Sequence, residues 1–165
     1  MPLYFAYGSN MDLSAMKARC PASTLVGPAR LARHRVIINQ DGYATVVRDP
    51  KETVHGLLFD LALSDVPALD RYEGIARGLY SKALQPVLTA EGPRKALIYI
   101  GRNATPGVPK PGYLEGVVAA AAGAGLPPAY VARLAALAQP PRPSAPAAQK
   151  KASSGIGVSG DPKRR

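Results

Sequence analysis

Short apolar or alternating runs, punctuated by turn-forming residues, make up most of the first hundred residues, the pattern of strands that bury one or both faces. Stretches 3–7, 35–39, 43–47, 54–61, 80–88 and 96–100 carry it, several of them bounded by Gly, Pro, Asp or Asn. They predict strands. Asp41-Gly42 falls between two of these runs and predicts a hairpin, because both residues tolerate the backbone of a tight turn. Helical signals are fewer. Asp12 is placed to cap a helix over 13–19, Ser64 one that runs through Leu69 to about Tyr72, and two more follow over 112–122 and 128–137. This order, with hairpins and without an internal repeat or regular βαβ alternation, predicts an α+β domain on a small, mainly antiparallel, curved sheet with flanking helices.

From Gln139 the pattern stops. Residues 139–165 read QPPRPSAPAAQKKASSGIGVSGDPKRR, with five prolines, no aromatic residue and scattered aliphatics. Such a stretch lacks the apolar surface that would offset its ordering entropy. The expectation is a folded domain over 1–138 and a disordered basic tail over 139–165.

Charge is divided between the two. The 21 Lys and Arg against 11 Asp and Glu give +10, and six of the bases with one acid lie in the tail, which therefore holds half of the excess. No ladder of alternating basic and aromatic residues appears, so no specific nucleic-acid partner is expected. One cysteine, Cys20, allows no internal disulfide and fits a reducing compartment. The start of the chain lacks the basic and apolar regions of a signal peptide. The longest weakly polar run, 117–126, is about half the length of a membrane span. These features point to a cytoplasmic protein with no membrane contact.

Candidate chemistry is sparse. In Leu69-Asp70-Arg71-Tyr72-Glu73-Gly74 the glycine marks a helix end, which leaves Glu73 at the negative end of the helix dipole. That field favours the protonated acid, the direction a general acid or base working near neutrality needs; a solvated glutamate at a helix end has the same sequence. Tyr7-Gly8-Ser9-Asn10, straight after the first strand, reads equally as a turn or as a binding loop. Cys20 precedes Pro21 with no histidine near it, and His34 and His55 have no cysteine or carboxylate at ligand spacing, so no metal site is expected. Glu115 reads as a negative charge in the first turn of a helix. No glycine-rich phosphate loop is present.

Taken together, the opening YFAYGSNM, the central LDRYEG and the later PGYLEG resemble the gamma-glutamylcyclotransferase family in order and spacing, over about residues 3–137. Val54-x-Gly56-x-x-Phe59 and the Gly78-Leu79-Tyr80 step match as well. The resemblance implies a small mixed barrel with flanking helices and an enzyme that cyclises gamma-glutamyl amines or amino acids to 5-oxoproline, with release of the free amine or amino acid, no cofactor and no metal. It places the catalytic acid/base on Glu73, the gamma-glutamyl binding segment on Tyr4, Phe5, Ala6, Tyr7, Gly8, Ser9 and Asn10, and a substrate-contacting tyrosine on Tyr113. Ser9-Asn10 is closest to the branch acting on gamma-glutamyl amino acids, and the loops 88–94 and 101–110 are expected to border the pocket. A small-molecule partner follows, and the oligomeric state stays open. Two readings from other classes stand beside it: a module that binds such a ligand without turning it over, and, on the net charge alone, a nucleic-acid binder.

Overall fold

The computed structural model describes residues 1–140; the tail expected over 139–165 lies outside the described residues, apart from Gln139 and Pro140. Five strands, β1 (Leu3–Ala6), β2 (Thr24–Ile38), β3 (Ala44–Asp60), β4 (Tyr80–Thr89) and β5 (Gly92–Gly101), close into a barrel in the order β1-β3-β2-β4-β5. Every neighbouring pair is antiparallel except β5 and β1, which meet in parallel at Tyr4 and Leu97. The curvature expected of the sheet is carried to full closure, which leaves no open edge.

Six strand-like runs become five strands because the two over 43–47 and 54–61 are halves of β3. A fault in the ladder hides their continuity. His34 pairs with Arg48 while Ala32 pairs with Thr53, so residues 49–52 face the single residue Arg33, which takes a φ of 60°. Pro50 is accommodated in that unpaired stretch, where no ladder bond is asked of its missing N–H. The first two thirds of β2, which the pattern did not mark, contain a second register shift between Leu25 and Gly27 and then Pro28, which together obscure the alternation. The hairpin expected at Asp41-Gly42 is present: Asn39 donates its N–H to the Tyr43 carbonyl at 2.9 Å and Gly42 takes a φ of 86°.

Among the described residues four α-helices flank the barrel, α1 (Leu13–Arg19), α2 (Val66–Glu73), α3 (Tyr113–Gly123) and α4 (Pro128–Ala135), the last continued by a 3-10 turn to Ala138. Asp12 caps α1 as expected, its carboxylate accepting from the amides of Ser14 and Ala15. Ser64 does not cap α2. It lies inside a 3-10 turn over Leu63–Asp65, and α2 starts at Val66 with Pro67 in its first turn, where a missing N–H costs nothing. The buried neighbour Asp65 instead ties this corner to the start of β2, accepting from the Ala22 amide at 3.0 Å and the Ser23 hydroxyl at 2.7 Å.

The core runs through the barrel from Phe5, Leu31, Val54 and Leu58 to Val87 and Ile98, and α3 and α4 add Leu114, Val117, Ala121, Tyr130 and Leu134. Among the described residues no helix is long and apolar enough to cross a membrane. Where β1 crosses β3 only glycine fits at position 56. A Cβ there would overlap the Ala6 carbonyl oxygen and come within 2.8 Å of Phe5 Cζ, so the strand sequence Val54-x-Gly56 is a packing requirement. Gly56→Ala is therefore expected to cost about 1–3 kcal/mol through overpacking of the barrel wall, read as a lower urea midpoint at unchanged slope. An unchanged midpoint would show that β1 and β3 separate there without strain.

Candidate active site

The end of α2 is where the sequence concentrates its special backbone. Gly74 stops the helix in a left-handed conformation, φ 67°, and its N–H returns to the carbonyls of Asp70 and Arg71. A single 3-10 turn over Ile75–Arg77 follows, and Gly78, φ 70°, reverses the chain again. Two left-handed residues so close together are affordable only as glycine. The result is that Leu79 and Tyr80 come back beside Glu73, the last residue of α2. The helix itself is fixed to the barrel by buried Leu69 and by Asp70, which accepts from the Tyr99 hydroxyl at 2.6 Å and pairs with Lys82 at 2.8 Å.

The segment after β1 approaches Glu73 from the other side. Ser9–Met11 form a 3-10 turn opened by a bond from the Met11 N–H to the Gly8 carbonyl, so the amides of Ser9 and Asn10 have no acceptor within the turn. The Asn10 carboxamide is buried and fully used. Its Nδ2 donates to the Tyr4 hydroxyl at 2.8 Å and to Glu73 Oε1 at 3.0 Å, and its Oδ1 accepts from Arg19 Nη1. The Arg19 guanidinium lies flat on the Tyr72 ring, 3.4 Å from its centroid, and the Tyr72 hydroxyl shares a 2.7 Å hydrogen bond with Ser9 Oγ. Turn, α1 and α2 are thus laced together around one carboxyl group.

Glu73 faces a cavity of about 190 Å³ lined by Ser9, Tyr43, Tyr72, Arg77, Leu79, Tyr80 and Tyr113. Burial pushes its carboxyl up to about 7, against the opposing pull of the Arg19 charge and the Asn10 hydrogen bond. The direction is the one expected from the helix end, but the dominant cause is desolvation. Tyr113 accepts from the Ala44 N–H at 3.2 Å and Tyr80 donates to the Ala44 carbonyl at 2.6 Å, so the first residue of β3 orients both phenols at the cavity. Burial drives both of these hydroxyls well above the usual phenol range, which leaves them neutral.

The residues singled out from sequence are distributed unevenly around this cavity. Ser9, Glu73 and Tyr113 line it; Gly8 lies behind the lining, with Tyr113 Oη only 3.3 Å from where a Cβ would stand. A Cβ there would crowd that hydroxyl, which is a steric reason for glycine at this position. Tyr4 and Asn10 stand behind Glu73. Phe5, Ala6 and Tyr7 are core side chains that do not line the cavity; the Tyr7 hydroxyl donates to the Tyr99 carbonyl at 2.5 Å. The loop over 88–94 is a correction: Leu88, Thr89, Ala90, Glu91 and Arg94 line a separate groove of about 540 Å³ with Gly27, His55 and Leu126, away from Glu73. Of 101–110, Pro106 and Gly107 face another groove beside Ile37 and Leu137, while Lys110 stands over the ring of the lining residue Tyr43, 5.5 Å from its centroid. Sequence reasoning missed Arg19, Tyr43, Tyr72, Arg77 and Tyr80 as site residues. Tyr72 and Arg77 lie within seven residues of the Glu73 motif, but nothing in their spacing marks which way they face.

The remaining polar candidates have structural roles. Cys20 is buried, and burial followed by the Asp65 charge pushes its thiol up, away from a nucleophilic thiolate. His34 is buried with Nδ1 2.9 Å from the Ala32 carbonyl, His55 packs on Tyr130 with ring centroids 4.8 Å apart, and Glu115 is exposed in the first turn of α3. Among the described residues no cluster of three His, Cys, Asp or Glu side chains is placed to hold a metal ion.

The sequence pattern of the AIG2-like family matches residues 53–134, which span the second half of β3, α2, β4, β5 and most of the two last helices. Gamma-glutamylcyclotransferases of Mus musculus and Homo sapiens are each 29% identical over 146 residues, covering 82% of this chain and 78% of theirs. A solved gamma-glutamyl cyclotransferase structure superposes with a TM-score of 0.77 at 27% identity, over 90% of this chain and 94% of that one. Both matched ranges include the Glu73 turn, and the barrel with its flanking helices is shared along nearly the whole described chain. Residues 53–134 thus carry the pattern of the AIG2-like family, and the chain has the fold of the gamma-glutamylcyclotransferases.

Proposed function

We propose that the chain cyclises gamma-glutamyl amino acids and amines to 5-oxoproline, releasing the amino acid or amine, with Glu73 as the general base and acid. The observation that carries this reading is a carboxyl group whose affinity for protons is brought to about neutrality inside a small, mostly polar cavity. A group with a pKa near the working pH is the one best able both to take and to return a proton.

The chemistry needs little else. The substrate's alpha-ammonium gives a proton to Glu73, and the freed amine attacks the delta carbonyl carbon. The N–C bond of the five-membered lactam forms, and the carbonyl electron pair moves onto oxygen. When that pair returns, the bond to the leaving nitrogen breaks as Glu73 delivers its proton there. The second ammonium proton follows to the departing amine, so one ammonium is consumed and one released. Because nucleophile and electrophile share one molecule, holding the substrate in a near-ring shape supplies much of the acceleration. The cavity is suited to that: Tyr113 and Tyr80 are locked by Ala44, and Ser9 stands with them on the lining beside Glu73.

Glu73→Gln keeps the acceptor for Asn10 but removes the proton shuttle, so release of 5-oxoproline from gamma-glutamyl dipeptides is expected to fall at least ~100-fold. Turnover above a tenth of wild type would remove Glu73 from this role. In the wild type, kcat/KM is expected to rise with pH through about 7 as Glu73 ionises. Arg19→Gln, which takes away a charge that favours the carboxylate, should move that midpoint upward.

The same titration has a sign in stability. A carboxyl whose pKa is higher folded than unfolded contributes fully below the unfolded value, and that contribution is lost as pH rises through the folded one. The raise from 4.5 to about 7 corresponds to a loss of ~3 kcal/mol across that window. Glu73→Gln is thus expected to unfold at a higher denaturant concentration than wild type at pH 8 and at nearly the same concentration at pH 4.5. A gap that does not widen with pH would mean that Glu73 is solvated.

A further inference from the structure

We propose that Arg77 determines leaving-group specificity by taking the carboxylate of the released amino acid, an inference that rests on the cyclisation reading above. The cavity has two charged lining residues, Glu73 and Arg77. Arg77 closes the 3-10 turn between the left-handed glycines Gly74 and Gly78, and its guanidinium folds back so that Nη2 lies 3.1 Å from where a Gly74 Cβ would stand. A side chain at position 74 would push it out of place. Among the described residues no ion pair or side-chain hydrogen bond involves Arg77. Its place is set by the backbone and leaves its donors unspent.

Depth decides which carboxylate it meets. Glu73 is largely buried and Arg77 exposed on the lining of one cavity of about 190 Å³, so the reacting bond lies at its inner part. The leaving group must therefore lie toward the mouth, where Arg77 is exposed. Within the head, the ammonium goes to Glu73, beside the Ser9 that lines the same cavity. Arg19, a second nearby cation, is already engaged by Asn10 and stacked on Tyr72. Lys110 lies over the outer ring of Tyr43, 5.5 Å from its centroid, whereas Arg77 lines the cavity itself, and a carboxylate on the leaving amino acid suits its planar guanidinium fork. A cation near the last carbonyls of α2 is also favourable to the helix dipole, but that role requires no orientation toward the cavity.

The test uses the full chain carrying Glu73→Gln, so that ligands bind without turning over, and titrates gamma-glutamylalanine and its C-terminal carboxamide by calorimetry. The free acid is expected to bind at least about tenfold tighter than the amide. Adding Arg77→Gln should erase that ratio while leaving amide binding unchanged, and Arg77→Lys should keep part of it. Equal weakening of both ligands would assign Arg77 to the glutamyl head, and no weakening of either would leave it as a helix-end charge; either result overturns the proposal. Release of 5-oxoproline from gamma-glutamylalanine by the wild type is measured separately. Its absence would count against cyclisation, while the binding ratio still decides the role of Arg77.

Discussion

A carboxylate withdrawn from water is among the most costly groups a fold can hold, and what surrounds Glu73 follows from how that cost is met. Two or three good donors would satisfy it and drive its pKa far down; none would leave it permanently protonated. This chain does neither. Among the described residues it offers one hydrogen bond, from Asn10, and keeps a neighbouring cation at one remove, because Arg19 spends its guanidinium on the far side of the same carboxamide and on the Tyr72 ring. Compensation is partial and burial retains the upper hand, which is why the carboxyl titrates at about 7 and not at 4.5. Asn10 is the hinge of this balance: its two ends are held by groups of opposite character, so it cannot rotate without losing both.

Closure of the barrel makes such a balance possible. The groups around the cavity come from the turn after β1, from α1, from the end of α2, from β4 and from the start of α3. No two neighbours in space need be neighbours in sequence, and only a rigid scaffold holds them to hydrogen-bonding tolerance. Ala44 shows the economy of the arrangement. Standing where the β2–β3 ladder begins, its carbonyl and amide each bind one phenol, so a residue with no functional side chain orients two that face the site.

What could be read from the chain follows from how local each cause is. The end of α2 was legible because Gly74 is a local signal, and so was the cap of α1 at Asp12. β2 was legible only over its last third, since a register shift near Gly27, Pro28 and the bulge at Arg33 break the alternation that marks a strand; β3 was split in two by the same bulge and by Pro50. The raised pKa of Glu73 was anticipated in direction from the helix dipole, a local property, whereas its main cause is burial among segments brought in from along the whole domain, from the turn at Ser9 to Tyr113. Arg19 and Arg77 look alike in sequence, as exposed bases near helix ends. Only the fold distinguishes the one locked onto Asn10 from the one facing an open cavity.

The groove beside His55 has nearly three times the volume of the Glu73 cavity, and what sets the smaller site apart is a buried carboxyl brought to neutrality. Around Glu73 the phenols of Tyr4, Tyr80 and Tyr113 are all pushed further up by burial, with the Glu73 charge adding to the effect in each. They can donate or accept hydrogen bonds at neutral pH, but they cannot give up a proton. Among these groups Glu73 is the one that changes charge there. A reaction run in this cavity at neutral pH therefore has one proton carrier among them, and in the proposed cyclisation the group that accepts the first proton is of necessity the group that returns it. The narrowness of the site enforces the same economy, since a proton held on Glu73 has the substrate's own nitrogens as its nearest destinations.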